Sequence, residues 1–190
     1  PVAGLIQGSN GSLYGTTPSG GTVGIGFGTV FKVGRFGNGF KTLVNFNTSN
    51  GLFTQAELLL ASDGNFYGTT PSGGIGGTGG TVFRMKPNGT IKTLVTFTGT
   101  GGTGRTPIAS LIQGNDGNFY GTTRVGGTFD KGTVFQMRPN GTLITLVNFD
   151  GANGRDPHAE LIQAADGNFY GTTYQGGTND KGTIFKLVLN

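Results

Sequence analysis

The same order of short strings returns four times along this chain, and a tandem repeat constrains architecture more than any single motif can. FYGTT stands at Phe66–Thr70, Phe119–Thr123 and Phe169–Thr173, with LYGTT at Leu13–Thr17. The tyrosines Tyr14, Tyr67, Tyr120 and Tyr170 follow one another at intervals of 53, 53 and 50 residues. A second string, GT(V/I)F, ends at Phe31, Phe83, Phe135 and Phe185. A third, TLV(N/T)F, ends at Phe46, Phe97 and Phe149, three times rather than four. The 190 residues divide into units of approximately 1–38, 39–89, 90–141 and 142–190 within a single repeat domain.

Each unit reads as short strands cut by turn chemistry. Strand a is A-x-L-(I/L), as in Ala159–Ile162. Asp63-Gly64-Asn65, Asp116-Gly117-Asn118 and Asp166-Gly167-Asn168, with Asn10-Gly11-Ser12 in the first unit, are predicted hairpin turns in which both central residues take positive φ. Strand b carries F-Y-G-T-T, strand c G-T-(V/I)-F and strand d TLVNF. The turns Pro87-Asn88-Gly89 and Pro139-Asn140-Gly141 join c to d. No segment has a helical period with caps. Apolar residues stand back to back in b, c and d. Successive strand residues point to opposite faces, so both faces must be covered. Radially stacked four-stranded blades provide that cover, which predicts an all-β tandem-repeat β-propeller of four blades of about 50 residues, with a β-solenoid as the alternative.

These residues resemble a known family. The pattern LIQ-x-x-DGNFYGTT, GGT, GTVF, PNGT, TLVNF is similar to the GloVer tandem repeat of exported "choice-of-anchor" bacterial proteins, over essentially the whole chain. The resemblance implies an extracellular or surface-attached, propeller-like protein with no assigned activity. The Gly-Gly after strand b also resembles kelch blades, in architecture only.

Composition narrows the chemistry. Gly is 40 of 190 residues, but it recurs in register and so marks turns rather than low complexity. Fifteen Phe and five Tyr supply the core. Charged residues make up 12% and the net charge is +4, with Lys and Arg scattered singly, so no basic stripe for nucleic acid exists. No cysteine is present, which excludes disulfides, thiolate metal sites and cysteine nucleophiles. No apolar run reaches the about 20 residues of a membrane helix, and no signal peptide is read. The chain opens at Pro1, as a processed protein or a piece of a longer one would.

Candidate chemistry is sparse. His158, the only histidine, has Asp156 and Glu160 near it in sequence, but Thr106 and Ser110 hold those positions in the third unit, so it reads as a solvated loop residue. Asp63, Asp116 and Asp166 lack the alternating oxygen ligands of a calcium loop and read as turn residues. Asp130-Lys131 and Asp180-Lys181 read as local surface ion pairs. The four repeated tyrosines read as core between units, with Thr residues or backbone as partners for their hydroxyls. The position after each GTT is more telling, because it holds Pro18, Pro71, Arg124 and Tyr174 on an otherwise repeated scaffold. Loops on a rigid scaffold carry recognition, so Arg124 and Tyr174 are the candidate ligand-binding residues. No catalytic, metal or cofactor set is expected. The sequons at Asn10, Asn47, Asn88 and Asn140 permit N-glycosylation in a suitable host.

The expected function is therefore a non-enzymatic structural or interaction module, with a carbohydrate-binding lectin as the alternative. The expected partners are a second copy, another surface protein or glycans. Counting strands gives a, b, c and then d, a, b, c three times, fifteen in all, with Asn190 aligned to the Asn of the P-N-G turn. The last strand c, Thr183-Ile184-Phe185-Lys186-Leu187, is thus predicted to have an unpaired edge open to self-association.

Overall fold

The computed structural model describes residues 1–22, 26–76, 79–100 and 102–189, and Asn190 lies outside them. The first sheet runs β1 (Ile6–Gln7), β2 (Leu13–Thr17), β3 (Thr29–Val33) and β4 (Lys41–Asn45). The second runs β5 (Leu59–Leu60), β6 (Phe66–Thr70), β7 (Thr81–Met85) and β8 (Ile91–Thr96). After β9 (Gly104–Arg105) the third follows: β10 (Ile112–Gln113), β11 (Phe119–Thr123), then β12 (Val125–Gly126), which leaves the sheet to pair with β9, then β13 (Thr133–Met137) and β14 (Leu143–Asn148). The last sheet has three strands, β15 (Ile162–Gln163), β16 (Phe169–Thr173) and β17 (Thr183–Leu187). All these pairings are antiparallel, and within each of the four main sheets the strands follow chain order, so the chain is a series of meanders and not a solenoid. Each strand d pairs with the strand c before it, although it opens the next unit in the sequence division. No helix occurs among the described residues, and so none is long and apolar enough to cross a membrane.

The hairpins correct one expectation. In the D-G-N turns only the glycine has positive φ, as at Gly64 (75°), Gly117 (78°) and Gly167 (79°). Gly64 N–H donates to Ala61 O and Ala61 N–H to Asn65 O, each at 2.9–3.0 Å. The loop is therefore a three-residue one closed by a glycine in the left-handed region, with the aspartate in an ordinary conformation. That conformation frees the aspartate side chain to accept from the Asn65 N–H at 3.0 Å and from the Tyr67 hydroxyl at 2.9 Å. Tyr120 donates likewise to Asp116 and Tyr170 to Asp166, each at 2.8 Å, so the tyrosine partner is the turn aspartate and not a threonine.

The repeated Gly of FYGTT has a different reason. Gly15, Gly68, Gly121 and Gly171 lie opposite Phe31, Phe83, Phe135 and Phe185. A Cβ added at Gly121 would meet the Phe135 ring at 2.7 Å. The phenyl ring of strand c thus lies over the bare backbone of strand b, which couples the two strings.

Burial lies between the sheets. Tyr14, Val30 and Val44 of the first sheet, with Phe46 just after it, pack on Phe66, Phe83 and Met85 of the second and on Leu58 beside it. Tyr67, Val82, Val95 and Phe97 meet Leu111, Phe119, Phe135 and Met137 in the same way. The third layer joins Tyr120, Val134 and Phe149 to Leu161 and Phe169. Tyr–Phe ring centroids repeat at 4.2, 4.1 and 4.2 Å across the three layers. Buried hydroxyls add a matching bond, from Thr16 to Ala56 O, Thr69 to Ala109 O and Thr122 to Ala159 O, at 2.9, 3.0 and 3.4 Å.

Candidate functional site at the loops of units three and four

The linkers that bring the chain from strand d back to strand a each contain a residue other than glycine in the left-handed region: Phe53 (63°), Thr106 (59°) and Asp156 (58°), in equivalent positions. Such a backbone costs on the order of 1–3 kcal/mol and persists only where its surroundings hold it. Hydrogen bonds hold it here. Asp156 N–H donates to Lys131 O at 3.0 Å, and Asp156 O accepts from Tyr174 N–H at 3.0 Å. Thr106 O accepts from Arg124 N–H at 3.1 Å. In the first two units Pro18 and Pro71 occupy the position after GTT and have no N–H to give.

The structure brings Arg124 to the Asp156 carboxylate, and Tyr174 to the same cluster through His158. Arg124 Nε donates to Asp156 Oδ1 at 2.8 Å. His158 Nε2 lies 3.1 Å from the same oxygen. The His158 ring is stacked with Tyr174 at 5.3 Å and 18°. Asp156 is the least exposed of the charged members, at 19%, with Arg124 and His158 at 47% and 43%. Among the described residues only Nε of the Arg124 guanidinium has a hydrogen-bond partner. The cluster borders two hollows. One, of about 190 Å³, is lined by Arg124, Asp156, Arg155, Lys131 and Gln175. The other, of about 280 Å³, is lined by Gly4, Glu57, Ser110 and Glu160, which are one position repeated in four units, together with His158 and Gln55. The starts of all four strands a therefore converge on one hollow.

Chemically, the site offers a planar cation, a carboxylate, an imidazole and an exposed aromatic face. His158 has the carboxylate partner that a general base would use. No hydroxyl donates to its ring among the described residues, and no His, Asp or Glu group there could hold a metal. The sequence reading set Asp156 and His158 aside because their equivalents in the third unit are unlike them. Their signal is spatial: the chain after β16 and the Asp156 linker are separate in sequence and meet through the bridge between Arg155 and Gln175 and the Tyr174 N–H to Asp156 O bond.

Other candidates fall elsewhere. Asp130 and Asp180 pair with Arg105 and Arg155, at 3.0 and 2.7 Å, and not with Lys131 and Lys181. Lys131 instead donates to Asp150 O at 2.7 Å. The aspartates take positive φ and receive the N–H of Gly126 and Gly176, which turns their carboxylates toward the arginines. The backbone N–H of Gly176, with Arg155 beside it, holds the Asp180 carboxyl below the usual range. Strand β17, Thr183–Leu187, pairs with β16 alone among the described residues. Ile184 is 83% exposed there, while Lys186 reaches Asp166 at 3.2 Å.

The model of the Gloeobacter/Verrucomicrobia repeat matches residues 1–190. No curated protein matches the chain. Among solved structures, the extracellular domain of a hybrid two-component system from B. thetaiotaomicron is similar, with a TM-score of 0.61 and 14% identity over 97% of this chain and 20% of that one. A gluconolactonase from Xanthomonas campestris is similar at a TM-score of 0.57 and 16% identity, over 85% of this chain and 52% of its own. TolB from Acinetobacter baumannii reaches 0.52 and 16%, over 84% and 35%. The chain spans less than two thirds of each of these structures. The likenesses establish a propeller-like all-β fold, and with the family model they identify the chain as a member of the Gloeobacter/Verrucomicrobia repeat family.

Proposed function

We propose that this chain is a four-blade, extracellular β-propeller module that acts by binding and not by catalysis. One observation carries the reading. The large repeated side chains of the first three units, such as Tyr14, Tyr67, Tyr120, Phe83 and Phe135, are buried, whereas Arg124 and Tyr174, at a position that changes between units, are exposed on one loop face with Asp156 and His158. A varied polar and aromatic cluster on a repeated scaffold is the form of a recognition site. The extracellular placement is supported by the family and by the extracellular domains among the similar structures. The edge of Thr183–Leu187 is the proposed route to self-association into a ring or fibre, because an unpaired apolar edge accepts another strand.

A second reading is supported by Tyr174, which is 65% exposed and stacked with His158, itself 3.1 Å from the Asp156 carboxylate that Arg124 also reaches. An aromatic face with flanking polar groups suits a sugar ring, so the alternative is a carbohydrate-binding module. A glycan array separates the two readings. Under either, Arg124→Ala and Tyr174→Ala leave the fold intact and weaken capture of the partner at least tenfold, while Asp63→Ala and Asp116→Ala do not. The opposite ranking moves the site to the D-G-N turns. Lactone-hydrolysis and other hydrolase assays are expected to show no turnover; a robust rate abolished by His158→Ala would replace the binding reading with an enzymatic one.

A further inference from the structure

The cations of this chain stand singly in the sequence, but the sheets gather those of its first half at one end of the molecule. Strand b runs from its hairpin turn to the position after GTT and strand c returns, so Leu13 pairs with Val33 and Thr17 with Thr29. The hairpins between strands c and d therefore lie at the end opposite Arg124 and Tyr174. In the first two sheets that end carries Lys32, Arg35, Lys41, Arg84, Lys86 and Lys92. Residues 1–96 have no other Lys or Arg, and their only carboxylates are Glu57 and Asp63. Residues 97–190 hold seven cations and seven carboxylates, so the whole net charge of +4 comes from the first two sheets.

The placement of these cations is unfavourable within the chain. Lys32 stands directly opposite Lys41 in its ladder, and Arg84 directly opposite Lys92. Like charges so placed repel one another. Among the described residues none of the six forms an ion pair, whereas Arg105, Arg124, Arg155 and Lys186 further along the chain each do. Asp63 already accepts from Asn65 and Tyr67. In the first unit the equivalent residue is Asn10, whose amide donates to the Tyr14 hydroxyl at 2.9 Å. Lys32 thus lacks the turn carboxylate that Lys186 finds in Asp166. The two hairpins form one surface. Tyr14, which pairs with Lys32, has its hydroxyl 3.5 Å from Pro87 O, and a Cβ at Gly89 would meet Leu43 O at 3.0 Å.

The tip of the first hairpin adds an aromatic ring. Gly34 N–H donates to Asn38 O and Gly37 N–H to Gly34 O, the same two bonds that Lys86 and Gly89 make in the second hairpin. Phe36 therefore stands where Asn88 and Asn140 stand later. It is 82% exposed, with the Arg35 guanidinium 4.8 Å from its ring centre. Asn88 and Asn140 are exposed as well, although the preceding sheet packs against both turns, so the exposure belongs to the tip itself. Cations around a protruding phenyl are the form of an interfacial contact: the charges attract a negative surface and the ring enters the headgroup boundary. A tip has no second wall to enclose a sugar, which favours a lipid surface over an acidic polysaccharide.

We propose that this end of the molecule docks on a membrane surface rich in anionic phospholipid, with Phe36 in the headgroup region and the cations of the first two sheets facing the phosphates. The contact is separate from the Arg124 and Tyr174 cluster and leaves that loop face turned away from the membrane.

The test is co-sedimentation of the 190-residue chain with vesicles of phosphatidylcholine alone and of phosphatidylcholine and phosphatidylglycerol in equal parts. Binding is expected only with the anionic lipid, and it should fall steeply as salt rises. Each cation near such a surface contributes roughly fivefold, so Lys41→Gln combined with Lys92→Gln should weaken binding at least tenfold. Phe36→Ser should weaken it about fivefold at unchanged charge and unchanged far-UV circular dichroism. The chain has no Trp, so Phe36→Trp gives a single reporter whose emission should shift to the blue on the anionic vesicles and be quenched by brominated lipid. No binding to the anionic vesicles overturns the proposal. Binding that responds to the lysines but not to Phe36, with no blue shift, assigns the face to soluble polyanions such as an acidic polysaccharide and overturns the membrane contact. Arg124→Ala and Tyr174→Ala should leave vesicle binding unchanged; a loss in either places the contact at the other end and overturns it as well.

Discussion

Each aspartate of the D-G-N turns holds both ends of its hairpin, and this sets how the fold responds to pH. Partial burial pushes Asp63 and Asp116 up, but hydrogen bonds from Asn65 and Asn118 and from the tyrosines outweigh it and hold both below the usual range. Bonds from Asn168 and Tyr170 hold Asp166 low in the same way. Burial, and then the carboxylate that accepts their proton, push Tyr67 and Tyr120 up to about 12. A depressed carboxyl stabilises the fold above its unfolded value and loses that contribution as pH falls. A raised phenol stabilises below its unfolded value and loses its contribution as pH rises. Stability is therefore expected to be flat between about pH 4 and about pH 10 and to fall on both sides. Urea midpoints across pH check this. Replacing both Tyr67 and Tyr120 with Phe should flatten the alkaline limb, and an unchanged limb would assign it elsewhere. A second residue-scale test lies at Thr54, whose buried Oγ1 has no hydrogen-bond partner. Pro1, Pro107 and Pro157 hold the same position in the other units. Thr54→Pro removes an unpaired hydroxyl and restricts the unfolded chain, so it should raise stability by about 1 kcal/mol in denaturant unfolding.

Among the elements, strands b and c of each unit depend on each other. Phe135 lies across Gly121, and Leu111 closes the same space, so a Cβ at 121 would meet both, at 2.7 and 2.8 Å. Strand β11 has extended backbone at this residue, so the obstacle is volume and not φ. Gly121→Ala should cost about 1–3 kcal/mol by overpacking, and the double change with Phe135→Leu should recover part of the loss. Gly117→Ala is the contrasting case. Its φ of 78° disfavours a side chain, but a Cβ there meets nothing within 4 Å. It should cost about 1 kcal/mol through the backbone alone, with no recovery from any neighbouring substitution. A double-mutant cycle on the first pair distinguishes the two causes.

Across the whole molecule, stability comes from three equivalent layers packed between the sheets. Tyr120 is 0% exposed between units three and four, with Phe169 at 4.2 Å. Tyr120→Ala should cost about 3–5 kcal/mol, as other buried aromatics do. Tyr170 has the same sequence surroundings but faces the uncovered side of unit four. Tyr170→Ala should cost well under half as much in the monomer. Equal costs in denaturant unfolding of the 190-residue chain would mean that the Tyr170 ring is packed as closely as that of Tyr120. The ion pairs at the loop face, Arg105–Asp130 and Arg155–Asp180, are exposed and add little, about 0–1 kcal/mol each. They orient loops and are not what holds the units together.

Strand order, turn positions and the burial of Tyr14, Tyr67 and Tyr120 were legible in the sequence because they depend on local chemistry stated three or four times over, whereas Tyr170, expected in the core with them, is only half-buried. An aspartate, a glycine and an aromatic at constant spacing leave few other solutions. Arg124 and Tyr174 were legible as departures from a repeated background. What the sequence could not tell was which residues meet across units. Arg124 reaches Asp156 over a separation of 32 residues, and His158 reaches Tyr174 through a linker whose left-handed backbone no motif announces. The aspartate at 130 stands beside Lys131 in sequence, yet it pairs with Arg105 because its φ turns the side chain away. Periodicity determined the unit. The stacking of one unit on the next decided the site, because it is made of side chains whose neighbours are set by packing between sheets and not by position along the chain.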